Sequence, residues 1–194
     1  RVGFNLSDSQ AKITKYDLNP DGNIGDHYVG EKIGEIWGFV TDGFYSTDEE
    51  AAGVDNSDIW GGKWLAGDVR YKNLNGDKTA DGKDIISKGH SKLQDPGDRK
   101  IIGNNTARYN YGISLSAEYK NFDFSCLMQG VGKRDLMLGG AYFWGFTDEW
   151  RTPTTEQLDY WTPDNPNAYY PRQRFGGGGN FQSQTKYLQN GAYM

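Results

Sequence analysis

The stretch Arg108-Tyr-Asn-Tyr-Gly-Ile-Ser-Leu-Ser-Ala-Glu-Tyr119, then Lys120-Asn121, then Phe122-Asp-Phe-Ser-Cys-Leu-Met-Gln-Gly-Val131 decides the fold. In its first run the odd positions are Tyr109, Tyr111, Ile113, Leu115, Ala117 and Tyr119, and the even ones are polar or glycine. Strict alternation of this kind is a strand with one apolar and one polar face. After Lys120-Asn121 the phase switches, and the even positions Phe122, Phe124, Cys126 and Met128 are apolar. A two-residue turn would pair Tyr119 with Phe122, Ala117 with Phe124, Leu115 with Cys126 and Ile113 with Met128. Every apolar side chain then falls on one face of a hairpin. The other face pairs Ser116 with Ser125, Gly112 with Gln129 and Glu118 with Asp123. Two opposed carboxylates are tolerable only where that face is wet.

Two environments suit such a hairpin. In a soluble sandwich the apolar face meets a second sheet. In a transmembrane barrel it meets lipid, and the polar face lines the lumen. Each arm has about the ~9–11 residues that cross a bilayer as a tilted strand.

Outward from the hairpin the chain is rich in rings and turns. Its 194 residues hold 27 Gly, 13 Tyr, 9 Phe and 6 Trp, with only 36% hydrophobic residues, a composition of aromatic β-structure and many loops. The net charge of −5 is spread without long runs, which argues against nucleic acid as a partner. The single cysteine, Cys126, excludes an internal disulfide. No apolar run approaches the ~18 residues of a transmembrane helix, which leaves a membrane barrel open. The first residues, Arg1 to Ser7, already alternate like a strand in progress, and Tyr187 to Met194 stop without a cap. The chain reads as a piece of a longer protein, without a signal peptide.

Upstream, Val2, Phe4 and Leu6 predict a short strand, with Ile13 to Tyr16 as its return. Tyr28 to Tyr45 is extended in character but broken by Gly30, Gly34, Gly38 and Gly43, which suggests bulges or close backbone approach. Ser46-Thr-Asp-Glu49 fits a capping box opening a short helix through Ala52. Gly67 to Lys72 predicts another strand, and Lys100 to Gly103 leads into the hairpin. From Gly132 to Thr185 strand signals nearly vanish, which marks one long loop (132–185). Within it, Thr152 as N-cap and Pro153 at the first helical position predict a helix over Thr154 to Trp161. Five to seven strands are too few for a closed barrel of about eight. The expected fold is therefore all-β: an antiparallel meander, part of a large transmembrane β-barrel, with long extracellular loops containing short helices.

Asn73, Asn75, Asp77, Thr79, Asp81 and Asp84 stand at positions 1, 3, 5, 7, 9 and 12 of an EF-hand-like loop, so Ca²⁺ is a candidate ligand. Position 6 is Lys78 instead of glycine, and position 12 is Asp instead of Glu. The competing reading is an Asx-rich turn bonded to its own backbone. His27 and His90 lie far apart and give no zinc spacing. No nucleophile elbow or phosphate loop is present, and the glycine run Gly176 to Gly179 lacks the residues that would make it one. The acid pair Asp148-Glu149 reads as solvated loop charge, and an enzyme is not expected. The long loop carries Tyr142, Phe143, Trp144, Phe146, Trp150, Tyr160, Trp161, Tyr169 and Tyr170. Of these, Trp144, Trp150, Tyr160, Trp161, Tyr169 and Tyr170 are candidate substrate-binding residues, since ring faces stack on sugars. The alternative is that the rings form a local core or a partner interface.

Four segments carry a family likeness. They are Val29-Gly-Glu-Lys-Ile-Gly-Glu-Ile-Trp-Gly-Phe-Val-Thr-Asp-Gly-Phe44, Gly67-Asp-Val-Arg-Tyr-Lys-Asn-Leu-Asn-Gly-Asp77, Asp98-Arg-Lys-Ile-Ile-Gly103 running into Tyr111-Gly112-Ile113, and Tyr160-Trp-Thr-Pro-Asp-Asn-Pro-Asn167. In this order they span most of the chain, which resembles the C-terminal part of SusC/RagA-type TonB-dependent outer-membrane transporters. The resemblance implies a large barrel with a plug inside, which imports glycans or peptides. It also implies energy drawn through the TonB complex and a SusD-like lipoprotein capping the barrel outside. Residues 1–194 would supply late strands and extracellular loops, with the plug and the TonB-contacting segment absent. Ile85 to Pro96 departs from the family pattern as an insertion. The alternative is a soluble all-β carbohydrate-binding module, stabilised by calcium.

Overall fold

The computed structural model describes residues 1–148, 150–176 and 178–194. Strand β8 (Arg108–Tyr119) and strand β9 (Phe122–Lys133) form a long antiparallel hairpin. Tyr119 pairs with Phe122, Leu115 with Cys126, Ile113 with Met128 and Glu118 with Asp123, the register that the phase switch predicts. Of the two turn residues only Lys120 has positive φ, at 53°, a position usually held by glycine. Strand β1 (Val2–Ser7) adds to the other side of β8, with Val2 opposite Leu115, Phe4 opposite Ile113 and Leu6 opposite Tyr111. The expected return strand at Ile13–Tyr16 does not form. Residues 8–107 lie between β1 and its partner, so the meander holds only for the hairpin.

This three-stranded sheet has one continuous apolar face, and nothing among the described residues covers it. Val2 is 75% exposed, Tyr119 70% and Phe122 79%, with Phe4, Leu6 and Phe124 also exposed. Burying such side chains stabilises by about 1.5–3 kcal/mol each, so these six forgo on the order of 10 kcal/mol in water. Two apolar residues break the pattern: Leu127 and Val131 sit on the polar face, opposite Ser114 and Asn110.

At the end of the hairpin away from the turn, the other segments fold into a head with its own core. Strand β2 (Glu35–Phe39) pairs with β7 (Arg99–Asn104), with a register shift at Ile36/Trp37. Strand β3 (Thr41–Phe44) pairs with β5 (Val69–Tyr71). The helix α1 (Asp48–Ala52) starts one residue later than the sequence suggests. Thr47 is its N-cap, Thr47 Oγ1 accepts the Glu50 amide at 3.1 Å, and Glu50 Oε2 accepts the Ser46 amide at 2.7 Å. Strands β4 (Val54–Asp55) and β6 (Asp84–Ile85) are short and, unlike the other pairs, parallel. Phe39, Tyr45, Ala51, Ile59, Trp64, Val69, Tyr71 and Ile86 close this first core.

The long loop is not structureless. Strand β10 (Asp135–Met137) pairs with β11 (Leu188–Asn190), and helix α2 (Ala141–Trp144) lies between them. The helix expected over 154–161 is a single 3-10 turn, Thr155–Leu158, with Thr154 and Gln157 forming the capping box. Gln157 is buried, and its side-chain amide donates to the carbonyls of Tyr142 at 2.7 Å and Phe143 at 2.9 Å, tying that turn to α2. The glycine breaks of the 28–45 run include one forced approach. A Cβ on Gly38 would stand 2.6 Å from the Ser183 carbonyl oxygen, and Phe39 donates to that same oxygen at 2.8 Å.

Candidate functional site

Three polar groups order the head. Asp98, fully buried, takes the amides of Leu74 at 2.6 Å and Asn75 at 3.3 Å on one oxygen, and that of Ser87 at 2.8 Å on the other. Its neighbour Arg99 donates to the Lys88 carbonyl at 2.6 Å and to Ser91 Oγ at 2.8 Å. The segment Ile85–Pro96 is thus bound to the strand that follows it. Asp68 is the third: it accepts from Arg174 and from the Asn180 amide at 3.0 Å, which pins those two residues beside β5.

The calcium candidates serve their own loop. Asn73 Oδ1 accepts the Gly76 amide at 2.6 Å and Asn75 Oδ1 the Asp77 amide at 2.9 Å. Thr79 Oγ1 accepts the Lys83 amide at 3.0 Å, and Asp84 takes Lys78 Nζ at 2.9 Å. Lys78 holds the Asp84 carboxyl below the usual carboxylate range. Asp77 and Asp81 are exposed. Among the described residues no three His, Cys, Asp or Glu side chains gather as a metal would require. Four of the six oxygens, those of Asn73, Asn75, Thr79 and Asp84, are thus engaged in side-chain-to-backbone turns and an ion pair, as an Asx-rich turn requires.

The candidate aromatic residues part company. Trp144 is buried and stacks on Phe181 with centroids 4.8 Å apart, edge-on to Tyr187 at 4.9 Å. Phe143 meets Tyr170 and Tyr187, each at 5.2 Å. Trp161 is buried against Gly67, whose φ is +84° and whose added Cβ would lie 2.2 Å from the indole. Tyr170 is buried, while Tyr160 and Tyr169 are half-buried. Phe143, Trp144, Tyr169, Tyr170, Phe181 and Tyr187 form a second core, with Trp161 packed apart from it on Gly67. Burial pushes the Tyr187 hydroxyl far above the ordinary tyrosine value and moves the Lys186 ammonium, 4.7 Å from the Phe44 ring centroid, downward.

Trp150 is different: it is 90% exposed. Beside it stands Tyr142, 87% exposed, although Phe143 and Trp144 of the same short helix point inward. Between them opens a cleft of about 550 Å³, lined by Tyr142, Asp148, Trp150, Arg151, Thr152 and Thr154. Asp148 accepts the Trp150 amide at 3.0 Å on one oxygen and Arg151 Nε at 2.9 Å on the other. The Arg151 guanidinium lies 5.7 Å from the Tyr142 ring centroid. Of the sequence candidates, the cleft holds only Trp150. Tyr142, Asp148 and Arg151 complete it, and the crowding of rings within 142–150 was their only signal in the sequence. Glu149 and Gly177 lie outside the described residues.

No protein-family model matches the chain. Along its whole length it is similar to the TonB-dependent receptor P3 of Formosa agariphila, at 25% identity over 214 aligned residues. The chain spans 18% of that receptor's length.

Proposed function

We propose that the chain is a segment of a TonB-dependent outer-membrane transporter of the SusC/RagA type. In this reading β1, β8 and β9 are neighbouring transmembrane strands, and the head stands outside the membrane. The bare apolar face of the three-stranded sheet carries the proposal, because lipid is the solvent that suits it. Spacing supports it: Tyr111 and Tyr119 are eight residues apart on that face, ~27 Å along the strand and about 19–22 Å along the membrane normal at a ~35–45° tilt. This is close to the ~25 Å apolar band, edged by aromatic girdles, of outer-membrane barrels. Topology supports it too, since such barrels have short turns on one side and long loops on the other. Lys120-Asn121 is the short turn, and the head occupies the opposite end. The likeness to a TonB-dependent receptor points the same way.

The whole transporter would import a glycan or peptide. It would draw energy from the TonB complex through parts outside this chain, and meet a SusD-like lipoprotein over its outer loops. No turnover is assigned to this segment. The test sets Leu115→Arg against Ser116→Arg in the intact protein. Leu115 is midway between the two tyrosines, where arginine on the lipid face costs about 2–4 kcal/mol. Leu115→Arg should block assembly of the heat-modifiable barrel in the outer membrane, and Ser116→Arg should assemble. Equal tolerance of both, or loss only with Ser116→Arg, would refute the reading.

A further inference from the structure

We infer that the cleft between Tyr142 and Trp150 is a binding site for an oligosaccharide, held by stacking on the two rings. For its place on the outer face this rests on the reading above. The binding itself rests on the cleft alone.

Large rings leave water when a core is available. Helix α2 makes that choice residue by residue: Phe143 and Trp144 go into the second core, and Tyr142 stays out. Trp150, only a few residues on, is also left out, although Trp144 and Trp161 are buried nearby in sequence. Two bare ring faces on either side of one cleft are a stacking platform. The cleft's volume falls in the ~300–1,000 Å³ range of small-ligand sites.

The polar groups narrow the ligand. The Asp148–Arg151 pair lies between the rings: the carboxylate holds the Trp150 backbone amide, and the guanidinium lies by Tyr142. Arg151 is already engaged by Asp148, so its charge is matched by a carboxylate of the cleft itself. Arg151 engages the carboxylate through Nε, which leaves its η nitrogens as donors for hydroxyls, alongside Thr152. Flat apolar faces combined with hydroxyl-matching donors fit a pyranose ring. An extended peptide would want an open strand edge for its main chain, or a deep pocket for a side chain. The cleft is bordered by α2 and irregular loop, and it supplies neither.

The experiment uses the intact protein in detergent. Hexasaccharides of the malto, cello, xylo, manno and laminari series are titrated by calorimetry, with a mixture of tri- to hexapeptides in parallel. At least one sugar should bind. Tyr142→Ala and Trp150→Ala should each weaken it about tenfold or more, as expected from losing one stacked ring. Tyr142→Phe should keep the affinity, and Tyr119→Ala on the sheet should leave it unchanged. Both ring positions are exposed, so their removal takes no packing from either core. The inference fails if no sugar binds, if both alanine variants bind as the parent does, or if only peptides bind. The Leu115/Ser116 comparison is read separately, so either proposal can fail while the other stands.

Discussion

Arg174 grips Asp68 from 106 residues further along the chain, its Nε lying 2.6 Å from Oδ1 and its second nitrogen bonded to Oδ2. The Asp68 side chain is 2% exposed, so the carboxylate has almost no water to fall back on. Losing one partner of a buried pair costs about 3–5 kcal/mol, because the other charge is left bare. Arg174→Met should therefore lower the stability of the head by about 3 kcal/mol. Chemical denaturation followed by tryptophan fluorescence would read this, and the 174–184 segment should become the first site of proteolysis. Arg174→Lys cannot make the same two-pronged contact and should recover only part of the loss.

Asp98 does for the 74–97 region what Asp68 does for the second core. Its three accepted amides close the acidic turn and the 85–96 segment onto β7. Asp98→Ala should cost about 3 kcal/mol, in line with ~1–3 kcal/mol for each buried donor left unmade. Asp98→Asn keeps one acceptor, which can serve Leu74 and Asn75, but turns an NH₂ towards the Ser87 amide. It should fall between the parent and the alanine variant, with new proteolytic cuts between residues 85 and 97.

Alkaline pH should undo the head. Burial raises the hydroxyls of Tyr45, Tyr71 and Tyr187 above the ordinary tyrosine value of 10.0. Burial, and then the hydrogen bond to Glu35, pushes Tyr28 up to about 12. A raised folded-state pKa means that the unfolded chain ionises first. These groups leave stability unchanged below about pH 10, and it is lost as pH rises beyond that value. Tyrosinate absorbance should show a late, cooperative rise coinciding with loss of near-ultraviolet circular dichroism. A smooth titration centred on pH 10 would mean that these rings are accessible.

Calcium should not take the acidic turn. Lys78 stands at the turn's sixth position and holds Asp84, and the asparagine oxygens are bonded to amides. Titration with millimolar Ca²⁺ should give no saturable heat. A binding isotherm abolished by Asp84→Asn would contradict the Asx-turn account.

The hairpin was legible because its period is two and its turn is two residues long. One phase switch at Lys120-Asn121 determines every pairing from Tyr119–Phe122 outward. The head was far less legible. Its strands are two to six residues long, too short for periodicity to register, and its order comes from single side chains acting over long separations. Asp68, Arg174 and Asn180 carry no local pattern that announces their meeting. The capping box shifted by one residue because Ser46-Thr47 offers two hydroxyls, and the one three residues before Glu50 won. Trp144, Trp161 and Tyr170 could not be told from Trp150 in the sequence, because a ring in a loop reads the same whether it fills a core or faces water. The cleft needed the fold, which turns Tyr142 away from its helix neighbours.

The most direct test of the central claim uses two adjacent residues on opposite faces of β9, Cys126 and Ser125. A spin label is placed on native Cys126, or on Ser125→Cys in a Cys126→Ala background, with the intact protein in outer membranes. The account predicts that the label at 126 is relaxed by lipid-soluble oxygen and shielded from an aqueous nickel chelate, while the label at 125 shows the reverse. A label at 126 that is open to the chelate, or closed to both agents, would contradict it.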